Sequence, residues 1–472
     1  MPFVPALSLS LPPPSAQRRR ILSVITLLVA LGLAGCGDMA KLPPMADMGP
    51  TPELPPPVRQ WIPTVNIAPA QGWPAGQVPQ PMAGLQVTAF ATGLAHPRWL
   101  HVLPNGDVLV AEANKPGPSP EGLRELGLLG RLKAWLSQKV MARAGAGVPS
   151  ANRISLLRDA DGDGVAELKT VFAEGLNSPF GMALVGRHWY VANTDAILRF
   201  DWQPGQTRLQ GPGTHVTDLP AGPINHHWTK ALIASPDGKH LYATVGSNSN
   251  VAENGLAAEV GRAAIWQVDL SSGSKRLYAT GLRNPNGMAW VPGAGAAAPM
   301  LWTVVNERDE LGSDLVPDYL TSVRDGAFYG WPYSYFGQNV DTRVKPPAID
   351  LVARAVVPDY ALGAHVAPLG LAYSSGPAAP GSAPASLPPS LAQGAFIGLH
   401  GSWNRQPLSG YKVIFVPFEN GRPKGLPVDV LAGFVSPEGK AWGRPVGVAL
   451  DAQGALLVAD DVGNAVWRVR SR

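Results

Sequence analysis

The sequence predicts an all-β protein, a six-bladed β-propeller of mostly four-stranded antiparallel blades with a short helical insertion. Composition is the first reason: 53 glycines and 49 prolines in 472 residues, with only 15% charged residues, suit short strands joined by turns. The second reason is a recurring phrase, in which a polar or histidine lead-in precedes a short apolar strand, a turn and a second strand. Its six copies begin at His96, Ser178, His226, Asn284, Ala367 and Arg444. A pair of β-sandwiches with similar turns is the alternative.

The N-terminal region, residues 1–35, predicts a lipoprotein signal peptide. Arg18, Arg19 and Arg20 precede an apolar run that is too short to span a bilayer comfortably but suits a signal sequence. The run ends in "LAGC", which resembles a bacterial lipobox, so Cys36 is expected to carry lipid and to anchor the protein to the membrane from the periplasm. An ordinary signal peptide followed by a chance cysteine is the alternative. Cys36 is the only cysteine, so the mature chain cannot form an internal disulfide.

Two segments next to the repeats lack the repeating pattern of strands and turns. Residues 36–84 are rich in proline and predict a semi-extended tether, which leaves 85–472 for the propeller. Residues 115–150 interrupt the first copy, with apolar residues at helical spacing and a basic opposite face, which predicts an inserted helix. This helix could lie solvated on a blade, cap the channel, touch the membrane or bind a partner.

In a propeller the lead-in loops of successive blades meet at one end of the central channel, so residues far apart in sequence come together there. The polar residues expected at this end are His227, Arg283, Asn284, residues 306–309, His365, His400, Arg405 and Arg444. Arginines hold carboxylates through two parallel hydrogen bonds, and a neutral imidazole among cations is available as a base. Together they favour an anionic ligand and a proton transfer. Any one of them alone is more often a solvated surface residue.

Five motifs, in order along the chain, carry a family resemblance: "GLRNPNGMAW", "VNERDELGSDL", "GAFYGWPYSYFG", "HGSWNR" and "GRPVGVAL". They resemble the soluble dehydrogenases of glucose and sorbosone that depend on pyrroloquinoline quinone (PQQ), over about residues 85–470. The resemblance implies a six-bladed propeller that oxidises an aldose or a sorbosone-type sugar with bound PQQ and Ca²⁺.

The resemblance also implies roles for single residues. His227 is expected to be the catalytic base that takes the proton of the sugar C1 hydroxyl, with Arg283 beside it. The residues expected to contact PQQ are Arg283, Asn284, Arg405 and Arg444. His226 stands where members that oxidise glucose carry an acidic residue, which argues against glucose as the substrate. Trp442 replaces one further arginine of the family.

Two loops of the sequence are considered for calcium. In the family the ion beside the quinone is held largely by backbone carbonyls, and we place it at Glu307, Arg308 and Asp309 because calcium prefers oxygen ligands. A second loop carries Asp159, Asp161 and Asp163 in D-x-D-x-D-G spacing, but its twelfth position is Thr170 instead of glutamate. That loop is either a second, structural calcium site or a solvated acidic turn.

The remaining expectations concern partners. Three units of the net charge of +4 come from the arginines of the signal peptide, and no basic tract argues for nucleic acid. The chain has no C-x-x-C-H haem motif, so electrons must pass to a separate acceptor, a quinone or a cytochrome. Two other functions stay open: a non-catalytic binding or scaffold propeller, and a calcium-dependent hydrolase of the lactonase type, which would need inward-facing Asp, Asn and Glu side chains.

Overall fold

The computed structural model describes residues 37–59, 64–117, 139, 141–293, 295, 297–376 and 386–472. The signal peptide, Cys36 and most of the predicted helical insertion therefore lie outside the described residues. The described end of the insertion contains a short π-helical segment, Ala142–Ala146. Among the described helices none is long and apolar enough to cross a membrane.

The predicted six-bladed β-propeller is confirmed. Three strands precede the first blade: β1 (Met48–Gly49), β2 (Gln80–Pro81) and β3 (Leu85–Thr92). The first blade contains β4 (Pro97–Val102), β5 (Val108–Glu112), β6 (Arg153–Arg158) and β7 (Leu168–Ala173). The second contains β8 (Met182–Val185), β9 (His188–Ala192), β10 (Ala196–Asp201) and β11 (Thr214–Asp218). The third contains β12 (Leu232–Ala234), β13 (His240–Val245), β14 (Ala264–Asp269) and β15 (Lys275–Thr280).

The fourth and fifth blades carry additional strands, and the sixth has four. The fourth contains β16 (Asn284–Val291), β17 (Met300–Asn306), β18 (Pro317–Val323) and β21 (Tyr360–Ala364), with the hairpin β19 (Ser334–Tyr335) and β20 (Asn339–Val340) inserted. The fifth contains β22 (Pro368–Ser375), β23 (Gln393–Leu399), β24 (Lys412–Glu419), β25 (Arg422–Pro423) and β26 (Val428–Ala432). The sixth contains β27 (Pro445–Leu450), β28 (Leu456–Asp460) and β29 (Ala465–Ser471), and β3 completes it. The short helices are Leu256–Glu259, Ile349–Val352 and Pro389–Leu391.

The blades are antiparallel and pack face to face through apolar side chains. The first strands of neighbouring blades contact each other around the centre, and aromatic rings fill the space between blades. The ring of Phe180 lies 4.8 Å from that of Trp99 in the first blade and 5.8 Å from that of Trp228 ahead of the third, measured between centroids. Such contacts between blades give the ring its core.

Alternation of strand direction places two kinds of connection at the same end of the ring. These are the connections that lead into the first strand of each blade and those between its second and third strands. We call this the loop end. The connections between first and second strands and between third and fourth strands form the opposite end. The loop end therefore gathers the lead-in residues of all six copies, as the sequence predicts.

The proline-rich segment differs from the free tether that its composition predicts. Its described parts lie on the propeller: β1 pairs with β21 as a fifth strand of the fourth blade, and β2 pairs with β26. The carboxylate of Asp47 also accepts a hydrogen bond from the backbone N–H of Ala364 at 2.7 Å. An extended chain satisfies few of its own backbone groups, so docking on the blades supplies partners for them.

Candidate functional site

His227 lies in the loop that leads into the third blade, and its hydrogen bond fixes which nitrogen carries the proton. Nδ1 lies 2.8 Å from the carbonyl oxygen of Ser247. Because a carbonyl can only accept, Nδ1 must donate, and Nε2 keeps its lone pair. Burial first, and then the nearby His226 and Arg283, hold the pKa of His227 well below its usual value. The side chain is therefore a neutral imidazole with a basic nitrogen, as expected of the predicted base.

The neighbouring His226 turns its ring perpendicular to that of His227, at 4.6 Å between centroids. It is exposed to solvent at the loop end, whereas His227 is half-buried. Desolvation of the ring by the surrounding protein, and then the charges of Lys115 and Arg283, lower the pKa of His226 to about 4. Both imidazoles are thus neutral near pH 7, and His226 is the one that an incoming molecule can reach first.

Arg262 holds this loop in place through hydrogen bonds, a role that was not predicted from the sequence. Its buried guanidinium donates to the carbonyl oxygen of His227 at 3.1 Å, to that of Gly246 at 3.0 Å and to Oδ1 of Asn225 at 3.1 Å. The only sequence signal is an arginine just ahead of the apolar strand β14. Such multiple hydrogen bonds to carbonyl oxygens fix the backbone on either side of His227.

Gly246 allows His227 and Asn284 to approach closely. A Cβ at this position would lie 2.5 Å from Cβ of His227 and 2.4 Å from Oδ1 of Asn284. Neither distance is tolerated between real atoms, so any side chain here would displace one of the two. Oδ1 of Asn284 is buried and has no hydrogen-bond partner among the described residues, so this predicted ligand residue is free to bind a donor.

Arg283 belongs to a buried network of charged side chains. Its Nη2 donates to Oδ2 of Asp309 at 2.9 Å, and its Nη1 donates to the carbonyl oxygen of Glu307 at 2.6 Å. Oδ1 of Asp309 accepts from Nδ2 of Asn404 at 2.8 Å and lies 3.5 Å from Nδ1 of His365. Burial would raise the pKa of Asp309, but Arg283 and His365 outweigh it and lower that pKa well below the usual range. Asp309 is therefore a permanent anion that orients Arg283.

The predicted calcium ligands at residues 307–309 face other partners. The carboxyl of Glu307 is buried, which raises its pKa to about 7, and it accepts the N–H of Arg308 at 2.9 Å. The Arg308 guanidinium donates to Asp341 at 2.5 Å. Since both oxygens of Asp309 are engaged as well, these side chains do not offer a calcium ion a free set of oxygens. The placement of calcium at these residues, where backbone carbonyls were expected to hold it, stays a prediction.

A second charged group lies on the other side of the loop end, around Asp461. His400 Nε2 lies 2.9 Å from Oδ2 of Asp461, His96 Nε2 lies 3.5 Å from it, and Arg98 donates to the same oxygen. Burial would raise the pKa of Asp461, but His400, His96 and Arg98 outweigh it and lower that pKa. The lead-in histidine of the first blade and His400 of "HGSWNR" thus meet through one carboxylate.

Arg444 is buried beside this group without a carboxylate of its own. Its Nη2 donates to Oη of Tyr411 at 3.0 Å and lies 3.5 Å from the carbonyl oxygen of Ala68, and its guanidinium carbon lies 4.9 Å from the centroid of the Tyr411 ring. Its Nε is buried and has no hydrogen-bond partner in the part of the chain that the structure describes. No ion pair of Arg444 occurs there either. A buried guanidinium that has no ion pair favours an anionic ligand.

Arg405, a predicted cofactor contact, has partners within the protein. Its Nε donates to the carbonyl oxygen of Ser313 at 2.9 Å, and its Nη2 lies 3.6 Å from Oδ1 of Asp314. Its guanidinium is therefore committed to the connection between β17 and β18. Trp442, which replaces a family arginine, packs against Trp73 with 5.8 Å between ring centroids.

The acidic loop between β6 and β7 lies at the opposite end of the ring. Asp159, Asp161, Asp163 and Glu167 place one oxygen each within 4.8 Å of one another. Glu167 was missed because the calcium-loop pattern was read only at its first, third, fifth and twelfth positions. The group has the composition of a metal site, and a second calcium there stays a prediction.

Comparisons with known proteins agree with the fold. A family model described as TrAA12-like matches residues 150–319 and 352–472. A Trichoderma reesei carbohydrate-active enzyme of family AA12 has a TM-score of 0.64 at 18% identity, over 86% of this chain and 99% of that chain. The PQQ domain of pyranose dehydrogenase from Coprinopsis cinerea, in its holo form, has a TM-score of 0.62 at 20% identity, over 86% and 100%.

A curated relative is more similar in sequence but shorter in its match. An uncharacterised protein of Borreliella burgdorferi is 26% identical over 253 residues, which are 53% of this chain and 62% of that protein. The match thus spans less than two thirds of the length of this relative.

Proposed function

Since this chain belongs to the TrAA12-like family, we propose that it is an oxidoreductase that oxidises a sugar with the help of bound PQQ. The observation that carries the proposal is the tautomer of His227, whose Nδ1 donates to Ser247 and leaves Nε2 as a base. Oxidation of a sugar at C1 removes a hydride from carbon and a proton from the hydroxyl, and a neutral imidazole is suited to take that proton. The Coprinopsis relative is described as a PQQ-containing dehydrogenase of pyranoses, which supports the same chemistry here.

The loop end has polar groups that could bind PQQ, a tricarboxylate with quinone carbonyls. Among the described residues, Arg444 is a buried donor without a carboxylate partner, and Oδ1 of Asn284 is a buried acceptor without a donor. We propose that Arg444 holds a carboxylate of the cofactor, while Arg283 and Asn284 hold its quinone side, next to His227. PQQ supplies the electron-pair acceptor for the hydride.

The protein residues then have separate tasks. Nε2 of His227 takes the hydroxyl proton, and the Nδ1–H bond to Ser247 keeps the ring in place while the charge develops. Asp309 holds Arg283 through its 2.9 Å ion pair, which orients that guanidinium beside the reacting atoms. His226, exposed next to the base, contacts the sugar and contributes to its selection.

We extend the proposal to location and electron flow on the basis of the sequence. Cys36 carries the lipid anchor of a periplasmic lipoprotein, the substrate is an aldose or a sorbosone-type sugar, and a separate quinone or cytochrome accepts the electrons. The proposal includes calcium. In the part of the chain that the structure describes, the acidic group able to hold a metal is the Asp159 loop, at the end of the ring away from His227, so an ion there would stabilise the fold and would not contact the cofactor.

The test uses the purified lipoprotein with and without PQQ and calcium. We expect reduction of an artificial dye by a panel of aldoses and sorbosone to need PQQ, and to disappear in His227→Ala. A protein that does not bind PQQ would contradict the proposal. Arg405 and Trp442 favour one alternative, a propeller that binds ligands without catalysis, because neither offers a free cation to the cofactor. In that case no dye reduction occurs with any sugar.

A further inference from the structure

We infer that the loop end of the propeller is the surface that this protein turns toward a lipid bilayer. The inference depends on the lipid anchor at Cys36, which is part of the proposed function, and goes beyond it by giving the anchored protein an orientation. Two features carry it: where the anchored end of the chain docks, and which side chains surround that place.

The first residues after Cys36 are already fixed to the loop end. Asp38 accepts the backbone N–H of Ser313 at 2.9 Å through Oδ2, and the Ser313 hydroxyl donates to its carbonyl oxygen at 2.6 Å. Ser313 belongs to the connection between β17 and β18. Only Gly37 separates Asp38 from Cys36 in the sequence. The lipid would therefore be attached directly at the loop end, with no free tether between them.

The contacts of the next residues span two blades. The backbone N–H groups of Lys41 and Leu42 donate to Oδ2 of Asp314, and Ala40 donates to the carbonyl oxygen of Gln406 at 2.8 Å. Arg405 balances the charge of Asp314 at 3.6 Å. With the chain fastened at several points, the domain cannot swing freely about its anchor.

Exposed apolar side chains of the described residues surround the same end. They are Met39, Val58, Val65, Met141, Val148, Ile224, Leu256 and Val260. Val260, in the connection between β13 and β14, is 79% exposed. Lys41, Lys115 and Arg143 are exposed there too. Apolar side chains interleaved with cations are the composition that binds an anionic lipid surface.

The acidic loop with Asp161, Asp163 and Glu167 lies at the opposite end, where the exposed Lys239 and Lys424 offset part of its charge. The anchor and the exposed apolar side chains, and not a difference in charge between the two ends, therefore set the orientation. In this orientation the side chains of His227 and Arg444 lie near the headgroups, within reach of an electron acceptor dissolved in the membrane.

The test places a fluorescent label at one end or the other. The lipid occupies the thiol of Cys36, so an added cysteine is the only reactive one. Val260→Cys and Leu256→Cys report on the loop end. Val165→Cys and Leu426→Cys, which replace residues 43% and 49% exposed, are matched controls on the opposite end. Each lipidated protein is reconstituted into vesicles of phosphatidylethanolamine and phosphatidylglycerol with a quencher in the headgroup region.

We expect at least threefold stronger quenching for the two loop-end labels than for the two controls. Equal quenching at both ends, or stronger quenching at the opposite end, would overturn the orientation. Circular dichroism of each variant checks that it is folded, and two positions at each end guard against the failure of one.

The outcome separates this inference from the proposed enzyme activity. Mass spectrometry that shows an unmodified Cys36 would overturn the inference and leave sugar oxidation untouched. A protein that is quenched at the loop end but never reduces the dye would support the orientation and contradict the dehydrogenase.

Discussion

Trp73 donates its Nε1–H to Oδ2 of Asp460 at 2.7 Å, and so joins the N-terminal segment to the residue that holds the backbone of Arg444. The other carboxylate oxygen of Asp460 accepts the N–H of Arg444 at 2.8 Å. Trp467 donates to Oδ2 as well, at 3.0 Å. A segment that reads as a linker in the sequence therefore supports the arginine that we expect to bind a cofactor carboxylate.

Replacing this donor should weaken cofactor binding. Trp73→Phe keeps the aromatic packing and removes one hydrogen bond of about 1 kcal/mol, so we expect the Kd of the apoprotein for PQQ to rise by about fivefold. Fluorescence titration of PQQ measures it. In an Arg444→Gln background the same change should have no further effect. Equal losses in both backgrounds would mean that Trp73 does not act through Arg444.

Removal of the proposed base should affect turnover and not cofactor binding. We expect His227→Ala to lower kcat by about 10² to 10⁴, the usual contribution of general base catalysis, while the Kd for PQQ changes by less than about twofold. Dye-reduction kinetics and fluorescence titration give the two values. His215→Ala is the control, because His215 is exposed and pairs with Asp218 in the second blade. A His227 variant with full turnover would exclude the role.

The pH dependence follows from the direction in which the pKa of His227 is shifted. Burial, His226 and Arg283 lower this pKa, so the base stays unprotonated as the pH falls through 6.5. We therefore expect the acidic limb of kcat/KM to lie below pH 6.5. A pH–rate profile with an added sugar measures it. A limb at or above 6.5 would show that another group, or a solvated histidine, controls activity.

Glu307 should make the fold less stable in alkaline than in acidic solution. Burial raises its pKa from 4.5 to about 7, so its unfavourable contribution appears as the pH rises from 4.5 through 7. Glu307→Gln keeps the acceptor for the Arg308 N–H and removes the charge. We expect the gain in the free energy of unfolding from this substitution to be about 2–3 kcal/mol larger at pH 8 than at pH 4.5. This follows from about 1.36 kcal/mol per unit of pKa shift.

Urea unfolding at the two pH values tests the stability of the Glu307 variant. Glu174→Gln is the matched control, because Glu174 is exposed and pairs with the exposed Arg208. If both variants respond to pH in the same way, burial of Glu307 is not the cause.

Crowding at Gly246 should disturb the base without unfolding the blades. A methyl group there would meet His227 and Asn284 at 2.5 and 2.4 Å, so both must shift. We expect Gly246→Ala to lower kcat at least tenfold, because small displacements of a catalytic group are costly. Gly117→Ala is the control, since a Cβ at Gly117 meets nothing within 4 Å. Unchanged turnover in Gly246→Ala would contradict the close packing around His227.

The architecture could be predicted because short stretches of sequence determine each strand and turn. Each strand pair of a blade carries its own alternation of apolar residues and its own turn, so six copies of one phrase sufficed for the blade number. The lead-in residues His96, His227, Arg283 and Arg444 come to the loop end as expected, because antiparallel connectivity leaves no other place for them.

The contacts of several predicted site residues could not be read from the sequence, because their partners lie far away in it. Arg405 reads as a free cation until Asp314 is found beside it, ninety-one positions earlier. The side chains of residues 307–309 read as metal ligands until Asp341, Asn404 and His365 are seen to engage them. Proline-rich composition predicts an extended chain correctly, but it does not reveal whether that chain lies against a blade edge.

The pairing of β29 with β3 has a consequence for how the protein is made. Residues from Ala465 to Ser471 form their ladder with residues from Thr92 back to Leu85, so the ring is closed by a strand from the N-terminal part of the chain and one from the C-terminal part. During synthesis from the N-terminus, this ladder cannot form until β29 has left the ribosome. Contacts of such long sequence separation form slowly. Until then the sixth sheet has an open edge that can pair with other chains, so a chaperone that covers this edge during synthesis would protect the protein.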